Sequence, residues 1–232
     1  MEDLRPATRF DIAATAALLA EPARVAMLSA LLDGEARPAT ELARLAHVSP
    51  STGSAHLAAL VRGGLLRVER LGRHRYHRLA SETAAHAFEN LALLAPPPRP
   101  ATSGAGESAG FRQARTCYRH LAGLLGVRFV DALLQRKLLV RAEGAFRLTS
   151  AGRRTTEELG LLEGELSTLT GTPCLDWTER RDHVAGPLGV ALTKGLIECR
   201  WLRPRPGTRA LRVTVEGGRR FREVFGLDAV VG

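Results

Sequence analysis

The amino-acid sequence predicts an α+β fold that is mainly α-helical, with small β-hairpins. Residues 38–78 combine two segments of helical periodicity with a hairpin pattern, which together predict a winged helix-turn-helix. Residues 111–232 contain two motifs that occur twice in the same order, which predicts a duplicated, degenerate winged-helix-like domain. A stretch rich in Pro, Ala, Ser and Gly, residues 96–110, separates these two regions.

Four helices are predicted before the hairpin. Apolar runs at Asp11–Leu19 and Pro22–Leu32 predict the first two, and Leu42 and Leu45 share a face of the third. The turn His47-Val48-Ser49 then leads into the fourth helix. Two short helices joined by such a turn form a helix-turn-helix.

The fourth helix has well-marked ends. Ser49 is a predicted N-cap, Pro50 suits the first helical position, and Gly63-Gly64 ends the helix. Its buried stripe is predicted to contain Leu57, Leu60 and Val61. The opposite face carries small polar side chains, so this face is expected to be exposed.

A two-stranded hairpin is predicted after the fourth helix. The segments Leu66–Arg70 and His74–Arg78 alternate around Leu71-Gly72-Arg73. Residues 62–78 contain six Arg and one Glu, hence a charge of about +5 before the histidines are considered. A helix-turn-helix followed by this hairpin is a winged helix with a basic wing.

The polar face of the fourth helix is suited to duplex DNA. Short hydroxyl side chains and one imidazole enter a major groove without steric conflict and donate to base edges or phosphates. Arginines on the wing would neutralise phosphates, which supplies most of the affinity of such modules. The predicted DNA-binding residues are Ser49, Ser51, Thr52, Ser54, His56, Arg67, Arg70, Arg73 and Arg75.

The N-terminal region resembles a known family. The start Glu21-Pro22-x-Arg24, the helix Ser49-x-Ser51-Thr52-x-Ser54-x-His56-Leu57 and the turn Gly64-Leu65-Leu66 match the ArsR/SmtB family of bacterial transcriptional repressors. The resemblance runs from about Ala14 to Leu79. It implies a homodimer that binds a palindromic double-stranded DNA operator and releases it when an inducer, often a metal ion, binds.

The domain organisation follows from the linker. Residues 1–95 are predicted to form the DNA-binding and dimerisation domain, ending in an amphipathic helix from Ser81 to Leu94. Residues 96–110 are predicted to be a flexible linker, and 111–232 a sensory or accessory domain made of repeats at about 111–170 and 171–232.

The repeat is carried by two motifs. His120-Leu-Ala-Gly-Leu-Leu-Gly-Val127 recurs as His183-Val-Ala-Gly-Pro-Leu-Gly-Val190, and Arg147-Leu-Thr-Ser-Ala-Gly-Arg-Arg154 recurs as Arg212-Val-Thr-Val-Glu-Gly-Gly-Arg-Arg220. Each copy is predicted to contain two helices, of which the second spans 127–138 or 190–197, followed by a hairpin that ends in Thr-x-x-Gly. This order resembles a winged helix without a recognition helix.

The second region also holds the candidate sensor residues. Cys117 and His120 are expected to share a face of a predicted helix, and Cys174 and His183 supply a second thiol and imidazole. Two thiolates with imidazole support suit a metal or metalloid ion, although the thiols could instead form a redox switch or belong to the core. Trp177 either walls a small-molecule pocket or fills the joint between the repeats.

Composition limits the other functions. The net charge of +9 favours polyanionic partners, and three scattered cysteines predict free thiols in a reducing compartment, with Cys199 in a strand-like apolar stretch of the core. The sequence contains no long apolar run, so a cytoplasmic protein without a membrane partner is expected. It also lacks a P-loop, a dinucleotide-binding glycine pattern and a Ser/His/Asp arrangement, so no enzyme is predicted.

The sequence therefore predicts a DNA-binding transcriptional regulator. We expect a homodimeric repressor released by an inducer or a thiol modification sensed in the C-terminal domain. Two alternatives stay open: the C-terminal half is only an oligomerisation module, or the protein handles metals or redox chemistry through Cys and His.

Overall fold

The computed structural model describes residues 11–72, 74–96 and 109–229. These residues divide into two compact units, an N-terminal unit of 11–87 and a C-terminal unit of 88–96 with 109–229. The division falls within one helix, Glu82–Leu94. Residues 97–108, which make up most of the predicted linker, lie outside the described residues, as does Arg73.

The N-terminal unit has the order of a winged helix. Its elements are α1 (Ile12–Leu19), α2 (Pro22–Ala30), β1 (Arg37–Pro38), α3 (Ala39–Leu45), α4 (Pro50–Arg62), β2 (Leu66–Leu71), β3 (His74–Leu79) and the start of α5 (Glu82–Leu94). The predicted helices and hairpin are confirmed. Most of their ends lie within two residues of the predicted bounds. The fold class, α+β with a winged helix-turn-helix at the N-terminus, is confirmed as well.

A small core holds the helix-turn-helix and the wing together. The strands form an antiparallel sheet in the order β1-β3-β2, in which Leu66 pairs with Leu79 at the base of the wing. The buried side chains include Met27 and Leu28 of α2, Leu42 of α3, and Leu57 and Leu60 of α4. Burial of apolar side chains from three helices fixes the polar face of α4 on the outside.

The C-terminal unit contains the remaining elements. These are α6 (Ala109–Gln113), β4 (Arg115–Cys117), β5 (His120–Ala122), α7 (Gly123–Gln135), β6 (Leu139–Ala142), β7 (Ala145–Leu148), α8 (Ser150–Glu158), a 3-10 helix (Gly164–Thr168), β8 (Thr170–Leu175), β9 (Asp182–Ala185), α9 (Gly186–Glu198), β10 (Leu202–Pro204), β11 (Leu211–Val213) and α10 (Val215–Phe225).

The two predicted repeats have the same architecture. Each contains a hairpin, a 13-residue helix, a second hairpin and a final helix, so that β4-β5-α7-β6-β7-α8 is followed by β8-β9-α9-β10-β11-α10. The helices α7 and α9 begin four residues earlier than predicted. The Ala-Gly pair at each start gives no helical signal, because glycine has a low helix propensity.

Two predictions about single residues of this unit were wrong, and the first helix predicted in each repeat is a hairpin, β4–β5 or β8–β9. Cys117 and His120 were expected on one face of a helix, but they belong to the hairpin β4–β5, where they are cross-strand partners. The two strands are only three residues long. Such short strands show no period-2 pattern that could be told from the helical period around them. Cys199 was likewise expected in a strand and instead caps the C-terminus of α9.

The core of the C-terminal unit is shared by both repeats. Strands β6, β7, β8 and β9 form one antiparallel sheet in that order, so the pairing of β7 with β8 joins the repeats. Phe129 of α7 makes edge contacts with Phe221 and Phe225 of α10, at ring-centroid distances of 5.7 and 5.1 Å. Trp201 packs edge-on against Phe221 as well. Neither repeat therefore has a core of its own.

The repeated Thr-x-x-Gly motif joins a hairpin to a helix. Thr149 caps α8 by accepting from the Gly152 N–H at 3.0 Å, and its hydroxyl donates to the Lys137 carbonyl at 2.8 Å. Thr214 caps α10 in the same way, accepting from the Gly217 N–H at 2.8 Å. A threonine in this position satisfies a free N–H of the first helical turn.

The helices are short for a membrane span. Within the described residues, no single helix has the length and hydropathy needed to cross a membrane. Helices α1 and α2 meet these criteria only as a pair that is bent by 87°.

We expect Gly152→Ala to destabilise the C-terminal unit. A Cβ atom at this position would lie 1.9 Å from the Leu138 carbonyl oxygen, so α8 would have to move away from the hairpin. Overpacking of this kind costs about 1–3 kcal/mol. Both tryptophans, Trp177 and Trp201, belong to this unit, so denaturant unfolding followed by their fluorescence measures the loss.

The matched control is Gly110→Ala. Gly110 is an exposed helical glycine, and a Cβ atom added to it would have no neighbouring atom within 4 Å. Alanine there should be neutral or stabilising by up to about 1 kcal/mol. Equal stability of the two variants would contradict the close contact at Gly152.

Candidate functional sites

Helix α4 presents its predicted polar residues to solvent. Ser51, Thr52 and Ser54 are exposed, whereas Leu57 and Leu60 on the other side are buried. Ser49 caps the helix by accepting from the Thr52 N–H at 3.2 Å, and Pro50 follows as the first helical residue. The cap and the apolar stripe together determine which face of the helix is available to a partner.

The hydroxyls at the start of α4 form a connected group. The Ser49 hydroxyl lies 3.0 Å from that of Ser51 and 2.9 Å from that of Thr52. The Ser54 hydroxyl donates to the Pro50 carbonyl at 2.9 Å and keeps its oxygen as an acceptor. These exposed groups can exchange their mutual hydrogen bonds for contacts with bases or phosphates.

His56 is held from a neighbouring helix. Arg24 of α2 donates through Nε to Nδ1 of His56 at 3.4 Å, and His56 is only half-buried. Since Nδ1 accepts this hydrogen bond, the proton of a neutral imidazole lies on Nε2. The ring is therefore oriented as a donor.

The wing holds its arginines in two different ways. Arg67 donates to Glu69 at 3.1 Å and to the Ala80 carbonyl at 3.0 Å, so it is tied to the base of the wing. Arg70 and Arg75 are exposed cross-strand partners, and neither forms an ion pair within the part of the chain that the structure describes. A groove between α4 and the wing is lined by Ser54, Arg62, Arg75 and other residues.

The C-terminal unit brings all four predicted sensor residues together. Cys117, His120, Cys174 and His183 each offer one ligand atom, and these atoms lie within 4.8 Å of one another. Nε2 of His120 is 3.0 Å from Nε2 of His183, and both rings are buried. The two thiols are half-buried, so solvent reaches the cluster from their side.

The two thiols differ in acidity. A hydrogen bond to Cys174 together with burial raises the pKa of the Cys117 thiol to about 11. The same hydrogen bond, donated by Cys117, lowers the pKa of Cys174, although burial opposes the shift. Cys174 is therefore the more acidic of the two thiols.

A buried carboxylate lies behind the cluster. Asp176 accepts from Arg115 Nη2 at 2.7 Å and from the Gly123 N–H at 2.7 Å, and its Oδ2 is 3.6 Å from His183 Nδ1. Burial alone would raise the pKa of Asp176, but Arg115 and the Gly123 N–H hold it at about 2. The carboxylate is thus charged at neutral pH, next to the imidazole of His183.

Trp177 packs against the same ion pair. The Arg115 guanidinium lies 5.4 Å from the centroid of the Trp177 ring and 5.1 Å from that of Phe111. These distances are typical of cation–π contacts. The position of Trp177 is explained by this stacking, whereas its predicted part in a ligand pocket stays a prediction.

Sequence reasoning missed Asp176 and Arg115. In the sequence Asp176 lies close to Arg180 and Arg181, a pattern that is typical of surface ion pairs and does not indicate a buried carboxylate. Its partner Arg115 lies 61 residues away in the chain. The aspartate turn, in which Asp176 accepts from the Thr178 and Glu179 N–H groups, was the available local signal.

Comparison with known proteins gives one relative that spans nearly the whole chain. The uncharacterized HTH-type transcriptional regulator YdfF of Bacillus subtilis (strain 168) is 39% identical over 211 residues, which cover 89% of this chain and 93% of that protein. The helix-turn-helix domain family HTH_20 matches residues 19–69.

Solved structures are similar to the N-terminal part. A homodimeric winged helix-turn-helix DNA-binding domain from Mycobacterium bovis, described as a possible ArsR-family regulator, is 29% identical, with a TM-score of 0.34, covering 38% of this chain and 89% of that one. Reduced HlyU from Vibrio cholerae is 27% identical, with a TM-score of 0.33, covering 37% of this chain and 90% of that one.

We expect Arg115→Ala to destabilise the C-terminal unit by about 3–5 kcal/mol, since it leaves the buried Asp176 carboxylate without its cation. The side chains of this pair are 1% and 0% exposed. Arg181→Ala is the control, because Arg181 is 59% exposed in its pair with Asp131 and such pairs contribute less than about 1 kcal/mol. Similar losses in denaturant unfolding for the two variants would contradict a structural role for the buried pair.

Proposed function

The chain belongs to the family of HTH-type transcriptional regulators, and we propose that it is a sequence-specific, homodimeric repressor whose C-terminal unit senses the signal that releases DNA. Membership of this family makes it a DNA-binding regulator of transcription. The observation that carries the rest is the exposed hydroxyl face of α4 beside the arginines of the wing. In this proposal Ser51, Thr52 and Ser54 contact the major groove.

The wing completes the DNA interface. Arg70 and Arg75 are free of carboxylate partners within the described residues, so they can neutralise phosphates without breaking an ion pair. Arg67 would first have to leave Glu69. We therefore propose that Arg70 and Arg75 contribute more to backbone contacts than Arg67, with Arg73 predicted from sequence alone.

Selection from a random duplex library tests sequence-specific binding. The full chain should enrich a palindromic site in which each half is read by one copy of α4, as expected for a twofold dimer of such domains. Failure to enrich any sequence at low salt would overturn the proposal. Enrichment without twofold symmetry would overturn its homodimeric part.

The double variant Arg70→Ala/Arg75→Ala should weaken binding to the selected site. Two lost phosphate contacts reduce the slope of log affinity against log salt by about 1.8, since each contact contributes about 0.9. Fluorescence anisotropy over a range of salt concentrations measures the slope.

The charge-matched control is Arg147→Ala/Arg154→Ala, two exposed arginines of the C-terminal unit. Its slope should equal that of the unmodified chain. If both double variants reduce the slope equally, DNA is bound through net charge and the wing has no special role.

An apolar helix supports self-association. Helix α1, with the sequence IAATAALL, has no buried residue, and Ile12 is 71% exposed. An exposed apolar helix of this kind is typical of a protein interface. We propose that α1 contributes to the contact between two copies of the chain.

Ile12→Asp should then raise the dimer dissociation constant at least about tenfold, because burying an unpaired carboxylate is costly. Sedimentation velocity over a concentration series measures this constant. Val215→Asp, at a position that is 77% exposed in the C-terminal unit, is the control and should leave it unchanged. A dimer that is indifferent to Ile12→Asp would exclude α1 from the interface.

A further inference from the structure

The strongest unassigned feature of the molecule is the cluster that both repeats build together. Cys117 and His120 face each other across the hairpin β4–β5, and Cys174 and His183 face each other across the hairpin β8–β9. We propose that these four side chains form a tetrahedral site for one divalent metal ion of the zinc class, with each repeat supplying one thiolate and one imidazole. Cys₂His₂ is a donor set that Zn²⁺ adopts in proteins.

The distances fit such an ion. Zn²⁺ lies about 2.3 Å from thiolate sulfur and about 2.0–2.1 Å from imidazole nitrogen, so tetrahedral ligand atoms are about 3.3–3.8 Å apart. The four donor atoms lie within 4.8 Å of one another, and the two Nε2 atoms are 3.0 Å apart. The donor atoms therefore have to move by about 1 Å or less to meet these separations.

The imidazoles are oriented for coordination. Nε2 of each ring faces the centre of the cluster, while Nδ1 of His183 lies 3.6 Å from the Asp176 carboxylate. At zinc sites the distal nitrogen of a ligating histidine commonly donates to a carboxylate, which orients the ring and increases its basicity. Nδ1 of His183 is buried without a hydrogen-bond partner among the described residues, and Asp176 is the carboxylate next to it. Asp176 is itself held by Arg115 and Gly123, so it would act as a positioning residue.

Two glycines allow α7 and α9 to pack closely against the strands that carry the histidines. A Cβ atom on Gly126 of α7 would lie 2.8 Å from the Leu121 carbonyl oxygen, and one on Gly189 of α9 would lie 2.1 Å from the Val184 carbonyl oxygen. Leu121 and Val184 directly follow His120 and His183 in the chain, so these contacts hold each helix against the strand of its histidine. These glycines and histidines are among the residues that the two copies of the motif His-x-Ala-Gly-x-Leu-Gly-Val have in common.

Charge and access also favour a divalent cation. Two thiolates and two neutral imidazoles balance a charge of +2, so the occupied site would be neutral in its buried setting. Both histidines are buried, but the two thiols are only half-buried, so an ion can enter the site from the side of the thiols. Among the described residues the remaining thiol, Cys199, does not join the cluster, since it donates to the Gly160 carbonyl at 3.2 Å.

Metal binding by this site does not depend on the proposed function, but its meaning as a regulatory signal rests on it. An ion that ties one repeat to the other stabilises a single arrangement of the C-terminal unit. By linkage, an ion that prefers one arrangement shifts the equilibrium toward it.

The test uses the full chain, reduced and stripped of metal with a chelator under anaerobic conditions. We expect titration with Co²⁺ to saturate at one ion per chain. It should produce the strong visible bands of tetrahedral cobalt and a thiolate-to-cobalt charge-transfer band in the near ultraviolet. One equivalent of Zn²⁺ should abolish both.

Variants identify the ligands. Cys174→Ser and His120→Gln should each lower the affinity for Co²⁺ more than about 100-fold, beyond the 10–100-fold effect of outer-shell changes. The control Cys199→Ser should bind like the unmodified chain. Tryptophan fluorescence and circular dichroism check that each variant is folded. A variant that loses both its fold and its metal binding is replaced by Cys117→Ser, for which the same loss is expected.

Three results would overturn the site: no cobalt bands in the unmodified reduced chain, bands that persist in the ligand variants, or bands of octahedral type without charge transfer. In the first case, loss of two free thiols on exposure to air would assign the cluster to a Cys117–Cys174 redox pair instead. A chain that binds selected duplex DNA but no Co²⁺ refutes only this inference. A chain that binds Co²⁺ but no DNA refutes only the proposed function.

Discussion

The buried ion pair of Arg115 and Asp176 is the interaction on which the C-terminal unit depends. Asp176 belongs to the second repeat, yet its carboxylate binds the guanidinium and the Gly123 N–H of the first repeat. Burying two charges is favourable only when their remaining hydrogen-bonding groups are satisfied. The aspartate turn and the Thr178 hydroxyl, which accepts from Arg115 at 3.3 Å, meet this requirement, and the pair fixes the two repeats in one register.

This register determines the chemistry of the cluster. With β5 and β9 held in place, His120 and His183 meet at 3.0 Å, and a thiol lies opposite each histidine on its own hairpin. The repeats are not copies that function separately, because each lacks half of the donor atoms and half of the core. A histidine at the same position of the repeated motif in both copies is what a shared site between the repeats requires.

The N-terminal unit exposes its candidate functional groups, whereas the C-terminal unit buries most of its own. Its fold leaves the hydroxyl face of α4 and two wing arginines outside the core, where they contribute little to stability and are available to a partner. The apolar residues of α1 are similarly unused within the unit. These are the groups that we propose to contact duplex DNA and a second copy of the chain.

Local sequence was sufficient for the winged helix. Cap residues, glycine stops and a strict apolar stripe act over a few positions, so α2, α4 and the wing were predicted closely, as was the duplication.

The sequence by itself determined the residue types of both candidate sites. Only the tertiary structure decided that Asp176 is buried and that Cys117 with His120 on one hairpin is the counterpart of Cys174 with His183 on another. Six more residues separate Cys174 from His183 than separate Cys117 from His120, which hides this equivalence in the sequence. Contacts between residues some 60 positions apart depend on how two hairpins pack, and no local periodicity encodes that packing.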